Sequence, residues 1–331
     1  MPRDIVLREF VLRCPTCGSG LCVSDSGRRA LCNGCGRDAS TTAGVVQFVR
    51  DEERRLEQAY YDSVYLESAP NDLNDLHAAW RSLYYPMNRR VLARVGDVRG
   101  RVVVLLGNGT SSKELAFLER DPALLVVSDL SPTAVAALRD QWLPHGQPNV
   151  VFAAIDALDL PFADGSVDLL YGYAFVHHLP DVDAFLAEAV RALAPGGRCV
   201  FVDNAYAPLW QAAKRTLLCP LMLYYHRLEE PSPEDLRFTF AGGFREEHLA
   251  GRILELGCRP WFERSGFVHY LVTRASERLP PQGLWRALVA RDAFLAALIR
   301  LDDRISRFDA VQRNLIRLVW GLDKPRYDHN A

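Results

Sequence analysis

The sequence predicts an α/β fold in which a parallel β-sheet is covered by helices on both faces. From about residue 100 onwards, short apolar runs alternate with helical segments, which is the pattern of consecutive βαβ units. A glycine turn, Gly107-Asn108-Gly109, follows the apolar run Val102–Leu106, and Asp129 ends the next run. Such a turn lets the backbone approach a nucleotide, and an acid about 20 residues later suits a ribose hydroxyl.

The bulk composition is that of a globular protein. The chain has 331 residues, of which 49% are hydrophobic and 24% charged, enough for one large domain and a small one. A formal net charge of -2 gives no overall attraction to nucleic acid. The sequence has no signal-peptide pattern and no apolar run long enough for a transmembrane helix, so we expect a cytoplasmic protein. The oligomeric state has no sequence signal.

Two copies of the pattern C-x-x-C-G lie near the N-terminus, at Cys14/Cys17 and Cys32/Cys35. Four thiolates in two close pairs predict a tetrahedral site for structural Zn²⁺. A module of about 50 residues with this pattern resembles a zinc ribbon, and the metal would contribute much of its folding free energy. A redox pair and metal-free thiols are the alternatives.

The rest of the chain divides into three parts. Residues 51–98 predict a helical linker, and its first helix, at about 51–65, ends with three tyrosines (Tyr60, Tyr61 and Tyr65). Residues 99–275 form the core, with an insertion at 204–244. The core ends in two strands, at about 259–264 and 267–273, whose two-residue join makes them antiparallel. Residues 276–331 are the C-terminal part, and helical spacing over 284–320 predicts two helices there.

Three further landmarks follow the glycine turn in a recognisable order. They are the run from Asp156 to Leu170, the pair His177-His178 and the turn Pro195-Gly196-Gly197. Together they resemble the class I S-adenosylmethionine-dependent methyltransferases over residues 100–203, and more weakly to about residue 274. The resemblance implies a Rossmann-like, seven-stranded sheet with its last strand antiparallel. The small N-terminal zinc ribbon and a C-terminal helical extension would flank that sheet.

The resemblance implies S-adenosyl-L-methionine as cofactor and assigns its binding to particular positions. These are Gly107, Asn108, Gly109, Asp129, Leu130, Asp156, Ala157, Tyr173 and, in the preceding helix, Tyr61. The glycine turn would pass under the methionine part, and Asp129 would accept from the ribose hydroxyls. Leu130 would contact the adenine face, and Asp156 and the Ala157 backbone its edge. Tyr173 would lie near the sulfonium. A lid helix would bring Tyr61 to the cofactor, although ordinary helix packing also explains the tyrosines.

Two positions depart from the family pattern. Leu105 stands where the family usually has an acid that helps to hold the cofactor's ammonium group, and Ser111 replaces a third glycine. Another group must therefore bind that end of the cofactor, or the affinity falls.

The candidate catalytic residues are His177 and His178, after the fourth strand of the predicted core. Ligands bind at the carboxyl edge of such sheets, so either imidazole is placed to act as general base. A base is needed only for a hydroxyl or carbon-acid acceptor, because methyl transfer otherwise depends on in-line positioning. The alternative is that a histidine caps or packs the following helix.

The insertion at 204–244 is rich in large apolar side chains, which favours a small hydrophobic, lipid-linked or glycan-linked acceptor. Burial of this insertion against the C-terminal helices is the alternative. A second hypothesis is a ribosomal RNA methyltransferase that docks nucleic acid through the zinc ribbon, although the small basic surplus of residues 1–50 argues against it. A third is a partner-activated, non-catalytic module that binds the cofactor.

Overall fold

The structure, a computed structural model, describes 12 parts of the chain. They are residues 11–24, 29–39, 45–49, 52–66, 91–110, 117, 120–142, 149–209, 212, 243–265, 291–315 and 317–326. The strand predicted at 267–273, most of the insertion and most of the segment after Gly109, including Ser111, lie outside these residues. No helix within the described parts is long and apolar enough to cross a membrane.

The N-terminal module contains a short hairpin. Strands β1 (Leu21–Ser24) and β2 (Arg29–Cys32) pair antiparallel, with Leu21 opposite Cys32. Strand β3 (Val46–Gln47) and helix α1 (Glu52–Leu66) follow.

The core alternates strands and helices as predicted. In chain order its elements are β4 (Val102–Leu106), β5 (Leu124–Asp129), α2 (Pro132–Trp142), β6 (Val150–Ala154), β7 (Val167–Tyr173), a 3-10 turn (Val176–His178), α3 (Val182–Ala192), β8 (Leu193–Asn204), α4 (Glu246–Glu255), β9 (Arg259–Ser265), α5 (Asp292–Ile305), α6 (Asp309–Gln312) and β10 (Arg317–Asp323). The eight-stranded sheet has the order β3-β6-β5-β4-β7-β8-β10-β9. Neighbours from β3 to β8 are parallel, and β10 is antiparallel to both β8 and β9.

The antiparallel strand differs in position from the prediction. The sheet does contain an antiparallel strand at this end, but Arg317–Asp323 forms it and lies between β8 and β9. The helix predicted over residues 317–320 is therefore wrong, and part of the predicted C-terminal helical extension belongs to the sheet. Helices α5 and α6 agree with the helical prediction. The eighth strand, β3, was not predicted.

The central strands are buried because helices cover both faces of the sheet. Every residue of β4 and β5 is buried, and alternate side chains enter two separate apolar clusters. Leu105 is fully buried in one cluster with Val103 and Val127. The hydroxyl of Ser131 accepts from the amide of Ala134 at 3.1 Å and so caps α2, a position at which serine is favoured.

The N-terminal module is joined to the core by backbone hydrogen bonds. The amide of Arg13 donates to the carbonyl of Pro161 at 2.8 Å, and the amide of Ala163 donates to the carbonyl of Val11 at 3.0 Å. Strand β3 extends the sheet by pairing with β6. The module therefore extends the sheet beside β6. Residues 155–157, which follow β6 directly, belong to the region of the candidate site described below.

Candidate cofactor-binding site

A cleft lies at the carboxyl ends of β4, β5, β6 and β7, where α1 crosses the sheet edge. It encloses about 600 Å³ of empty space, part of which opens to solvent. Its lining residues are Arg54, Glu57, Tyr61, Tyr65, Leu106, Gly107, Asp129, Leu130, Ile155, Ala157, Ala174, Phe175, His178 and Leu179. The cleft therefore combines residues from the glycine turn, the strand ends and a helix that precedes the core.

The glycine turn leaves β4 in a conformation that favours glycine. Gly107 and Gly109 have φ values of 60° and 54°, in the left-handed region. A Cβ on Gly107 would lie 2.5 Å from the ring of Phe175, and one on Gly109 would lie 2.8 Å from the hydroxyl of Tyr65. Both glycines therefore leave room for an aromatic ring beside the turn.

Asp129 ends β5 with its carboxylate buried at the centre of the site. One oxygen accepts from the amide of Gly109 at 2.8 Å, and the other accepts from the amide of Ser131 at 2.9 Å. Burial raises the pKa of Asp129 to about 6, although these backbone hydrogen bonds oppose the shift. Asp129 thus links the glycine turn to the start of α2 while its carboxylate still lines the cleft.

Helix α1 presents one face to the cleft. Arg54, Glu57, Tyr61 and Tyr65 are spaced by three or four residues, which places them on the same side of the helix. Gln58 on the same side donates its amide to the carbonyl of Leu130 at 2.7 Å. One turn later, Asp62 accepts from the hydroxyl of Ser131 and from the amide of Thr133. These polar contacts hold α1 over the end of β5 and the start of α2.

Asp156 has a partner that sequence reasoning missed. Its two carboxylate oxygens accept from Nε and a terminal nitrogen of Arg54 at 2.9 and 3.1 Å, in a bidentate ion pair. The amide of Leu158 donates to one of the same oxygens at 3.0 Å. Arg54 also pairs with Glu57 one turn along α1. The position predicted to bind adenine is therefore held by an ion pair to helix α1.

The two histidines have different surroundings. Nδ1 of His177 lies 2.8 Å from a carboxylate oxygen of Asp203, whose other oxygen accepts from the indole of Trp320 at 3.1 Å. Asp203 is completely buried, and His177 is not among the cleft residues. His178 does line the cleft, and its Nδ1 lies 3.3 Å from the hydroxyl of Tyr61. His178 is the better placed of the two to reach an acceptor.

Some of the other residues predicted from the sequence line the cleft, and others lie outside it. Gly107, Asp129, Leu130, Ala157 and Tyr61 line the cleft, and Gly109 borders it through Asp129 and Tyr65. Asn108 is buried behind the turn, where its amide donates to the carbonyl of Ser128. Tyr173 packs against the apolar cluster that contains Leu105, instead of lining the cleft.

The chain reaches the cleft just after Tyr173. Ala174 and Phe175 line the cleft there, and Ala174 has a φ of 54°, which is unusual for a residue with a side chain. Sequence reasoning missed both residues because neither forms a motif. It also missed Arg54 and Glu57, although their helical spacing from Tyr61 could have indicated them.

The four cysteines of the N-terminal module form one cluster. The sulfurs of Cys14, Cys17, Cys32 and Cys35 all lie within 4.8 Å of one another. Tetrahedral zinc with bonds of about 2.3 Å places its sulfur ligands about 3.8 Å apart, so the cluster has a suitable size. The amides of Thr16 and Gly34 approach Cys14 and Cys32 sulfurs at 3.4 and 3.3 Å, as they would to stabilise thiolates. Hydrogen bonds from Ser19 lower the pKa of Cys17 to about 6.

Comparison with known proteins identifies the family. Residues 104–201 match the model of the methyltransferase domain. A ubiquinone/menaquinone biosynthesis C-methyltransferase from Dinoroseobacter shibae is 31% identical over 180 residues, which are 52% of this chain and 68% of that protein. The O-methyltransferase cnsE of Penicillium expansum is 31% identical over 35% of this chain and 43% of its own length. The chain therefore belongs to the S-adenosylmethionine-dependent methyltransferases.

Solved structures share the fold at low sequence identity. Geranyl diphosphate C-methyltransferase from Streptomyces coelicolor, solved with Mg²⁺, geranyl diphosphate and S-adenosyl-L-homocysteine, has a TM-score of 0.55 and 13% identity. The match covers 83% of this chain and all of that one. Phosphoethanolamine N-methyltransferase 2 from Haemonchus contortus, solved with S-adenosyl-L-methionine, has a TM-score of 0.52 and 14% identity, covering 80% of this chain and 60% of that one. This chain spans between 27% and 43% of the length of the first three curated relatives.

Proposed function

We propose that this protein transfers a methyl group from S-adenosyl-L-methionine to a small biosynthetic acceptor. The observation that carries the proposal is the position of the Asp129 carboxylate, which lies in the cleft beside the glycine turn at the carboxyl ends of the parallel strands. Ligands of open parallel sheets bind at this edge, and a carboxylate there suits the two vicinal hydroxyls of a ribose. A cytoplasmic location stays a prediction from the sequence.

The residues of the cleft suit the parts of the cofactor. Asp129 would accept from the ribose hydroxyls, while Leu130 and Ala157 would contact the adenine. Asp156 is buried beside the cleft and is not among its lining residues; it accepts three hydrogen bonds, and a carboxylate has about four acceptor positions, which leaves capacity for the adenine amino group. The glycine turn would lie beneath the methionine part. When bound, S-adenosyl-L-methionine supplies an electrophilic methyl group.

We further propose His178 as general base for a hydroxyl or carbon-acid acceptor. Its ring lines the cleft, and the nearby hydroxyl of Tyr61 orients Nδ1. In the proposed transfer the acceptor atom would bond to the methyl carbon while the carbon–sulfur bond breaks, and the electrons of that bond would stay on sulfur. The acceptor's proton passes to His178, so that charge balances. His177 does not line the cleft, so we assign it the role of positioning His178, whose ring lies 4.1 Å from its own, centroid to centroid, while Asp203 holds Nδ1 of His177.

Cofactor binding is the first test of this function. Calorimetry should show that the full chain binds both S-adenosyl-L-methionine and S-adenosyl-L-homocysteine, and that Asp129→Ala lowers both affinities by about tenfold or more, because a charge-assisted hydrogen bond contributes about 1.5–3 kcal/mol. Asp164→Ala is the matched control, since Asp164 lies on the surface and pairs with Arg191. Absence of binding by the unaltered protein would refute the proposal.

The acceptor can be sought with a methyl-labelled cofactor. The relatives include ubiquinone/menaquinone biosynthesis C-methyltransferases and a 27-O-demethylrifamycin SV methyltransferase, and one structural neighbour is a geranyl diphosphate C-methyltransferase. The first panel is therefore quinone precursors, phenols and isoprenoid diphosphates. With a substrate in hand, His178→Gln should reduce kcat by 10²–10⁴-fold if the acceptor carries a proton to be removed. If His177→Gln lowered kcat by that amount and His178→Gln left it unchanged, His177 would be the base instead. The names of the relatives compared above give no support to a lipid-linked, glycan-linked or RNA acceptor.

We also propose that the four-cysteine cluster binds one structural Zn²⁺. The support is the mutual distance of the sulfurs together with the amides directed at them. Elemental analysis of the purified chain should give about one zinc per molecule. Cys32→Ser should lose most of this metal, whereas Cys22→Ser, in the same module but outside the cluster, should retain it. Equal metal content in the two variants would refute the site.

A further inference from the structure

The strand that leads into the glycine turn has no charge to offer the cofactor. All five residues of β4 are apolar and buried, and the side chain of Leu105 enters the cluster with Val103 and Val127. A positive centre of a ligand beside the turn would therefore meet side chains from other elements, whether it is the ammonium group, which donor and product share, or the sulfonium centre, which only the donor carries. This inference rests on the proposed function and concerns how the same cleft senses the charge of its ligand.

Aromatic rings border the turn from two elements. Tyr65 of α1 lies against Gly109, and Phe175, after β7, lies against Gly107. The ring of Tyr61 lies 6.5 Å from that of Tyr65, centroid to centroid, with 27° between their planes. All three rings line the cleft. The two glycines make this approach possible, because a Cβ at either position would collide with an aromatic side chain.

The charges around the rings also favour a cation. Among the described lining residues, the carboxylates of Glu57 and Asp129 outnumber the single guanidinium of Arg54. Arg54 is itself paired with Asp156 and Glu57 on the side of the cleft predicted for adenine. The faces of aromatic rings carry negative electrostatic potential, and aromatic cages bind cations such as quaternary ammonium groups.

We propose that Tyr61, Tyr65 and Phe175 form an aromatic cage for the sulfonium centre of the methyl donor, so that the site prefers the charged donor to its neutral thioether product. After transfer the sulfur is neutral and the cation–π attraction is lost. The cage thus favours exchange of product for a new donor, in addition to helping the donor bind.

Ligand pairs that differ at the sulfur position test the cage without any acceptor. Calorimetry would compare S-adenosyl-L-methionine, sinefungin, which carries an ammonium group at that position, and S-adenosyl-L-homocysteine, which is neutral there. The measured quantity is the ratio of the product's Kd to the donor's Kd. Tyr65→Leu should lower this ratio by about two- to thirty-fold, the range of cation–π contributions. Sinefungin should follow the donor.

Two further variants separate the ring from its hydroxyl and from general effects of the helix. Tyr65→Phe keeps the ring and should keep the ratio within about twofold. Leu56→Ala removes an exposed side chain on the same helix, outside the cleft lining, and should also keep the ratio. Circular dichroism of each variant would show whether α1 is retained.

Three results would overturn the cage. An equal loss of affinity for donor and product in Tyr65→Leu would mean that the rings do not sense the sulfonium. An equal effect of Phe and Leu at position 65 would assign recognition to the hydroxyl. If the unaltered protein bound neither ligand, the proposed function would fail and the cage with it, whereas the first two results would leave the proposed function intact.

Discussion

At the scale of single residues, the buried carboxylate of Asp129 predicts a pH dependence of cofactor binding. Its raised pKa, about 6, means that the group is mostly protonated at pH 5 and mostly ionised at pH 7. Only the ionised form accepts from both ribose hydroxyls, so affinity should fall about tenfold between pH 7 and pH 5. Calorimetric titrations across this range would measure the slope. Binding of the cofactor at pH 6 should release protons.

The same shift has the opposite sign for the stability of the ligand-free protein. Because the folded pKa of Asp129 lies above its unfolded value, its contribution to stability is complete below about pH 4 and is lost as the pH rises through about 6.

Asp129→Asn should bind the cofactor weakly and with little pH dependence. Asp164→Asn, on the surface, should keep the pH dependence of cofactor affinity seen in the unaltered protein. The same pH dependence in Asp129→Asn would contradict the assignment of this dependence to Asp129.

Arg54 gives a second prediction at this scale. Replacing it with methionine leaves Asp156 and Glu57 buried without their guanidinium partner. Removing one member of a buried ion pair costs about 3–5 kcal/mol, so Arg54→Met should lower the free energy of unfolding by that order in urea titrations. Arg55→Met alters the exposed neighbour and should change it by less than about 0.5 kcal/mol. Equal effects would show that the ion pair does not stabilise the fold.

At the scale of elements, the sequence predicted those structures whose signals are local. Strands β4 to β8 follow apolar runs, and Ser131 and Asp181, residue types that are favoured at helix N-termini, cap α2 and α3. The strand at residues 317–323 was not predicted, because a short apolar run is equally consistent with a buried helix or a buried strand. Only the tertiary structure decides that Leu318 and Trp320 face one cluster while Val319 faces the other.

The candidate site shows the same division. Gly107, Asp129 and Leu130 belong to a motif whose residues are close in sequence, and they line the cleft as expected. The partnership of Arg54 with Asp156 joins residues 102 positions apart, and no spacing rule predicts it. Tyr173 was expected at the cleft, but β7 extends through that residue and turns its side chain into the core, so that Ala174 and Phe175 follow at the edge.

The pairing of β10 with β8 predicts the effect of a substitution at Gly321, for which a helical glycine serves as control. A Cβ on Gly321 would collide with the carbonyl of Cys199 on β8, a backbone atom that cannot move without parting the strands. Gly321→Ala should therefore destabilise the fold by about 3 kcal/mol, at the upper end of the range for overpacking. Gly251→Ala, in α4, meets no atom within 4 Å and should stabilise by up to about 1 kcal/mol. Thermal unfolding would compare them, and equal shifts would contradict the register.

At the scale of the whole molecule, the N-terminal module and the methyltransferase core share a sheet. The amide of Phe48 donates to the carbonyl of Ala154 at 3.0 Å, at the end of β6. Ile155 and Ala157, which line the cleft, follow directly. The chain then continues from Phe48 into α1, whose inner face closes the same cleft. The N-terminal module thus pairs with β6, the strand that leads directly to two residues of the cleft lining.

This connection predicts that removing the proposed zinc weakens cofactor binding. Without metal, the small hairpin loses much of its folding free energy, and β3 loses support on the edge of β6. Chelation or Cys32→Ser should therefore speed hydrogen exchange in residues 150–154, while residues 102–106, in the centre of the sheet, should keep their protection. Affinity for S-adenosyl-L-homocysteine should fall in parallel, and Cys22→Ser should behave like the unaltered protein. Loss of zinc with unchanged exchange in β6 and unchanged affinity would show that the module folds independently of the site.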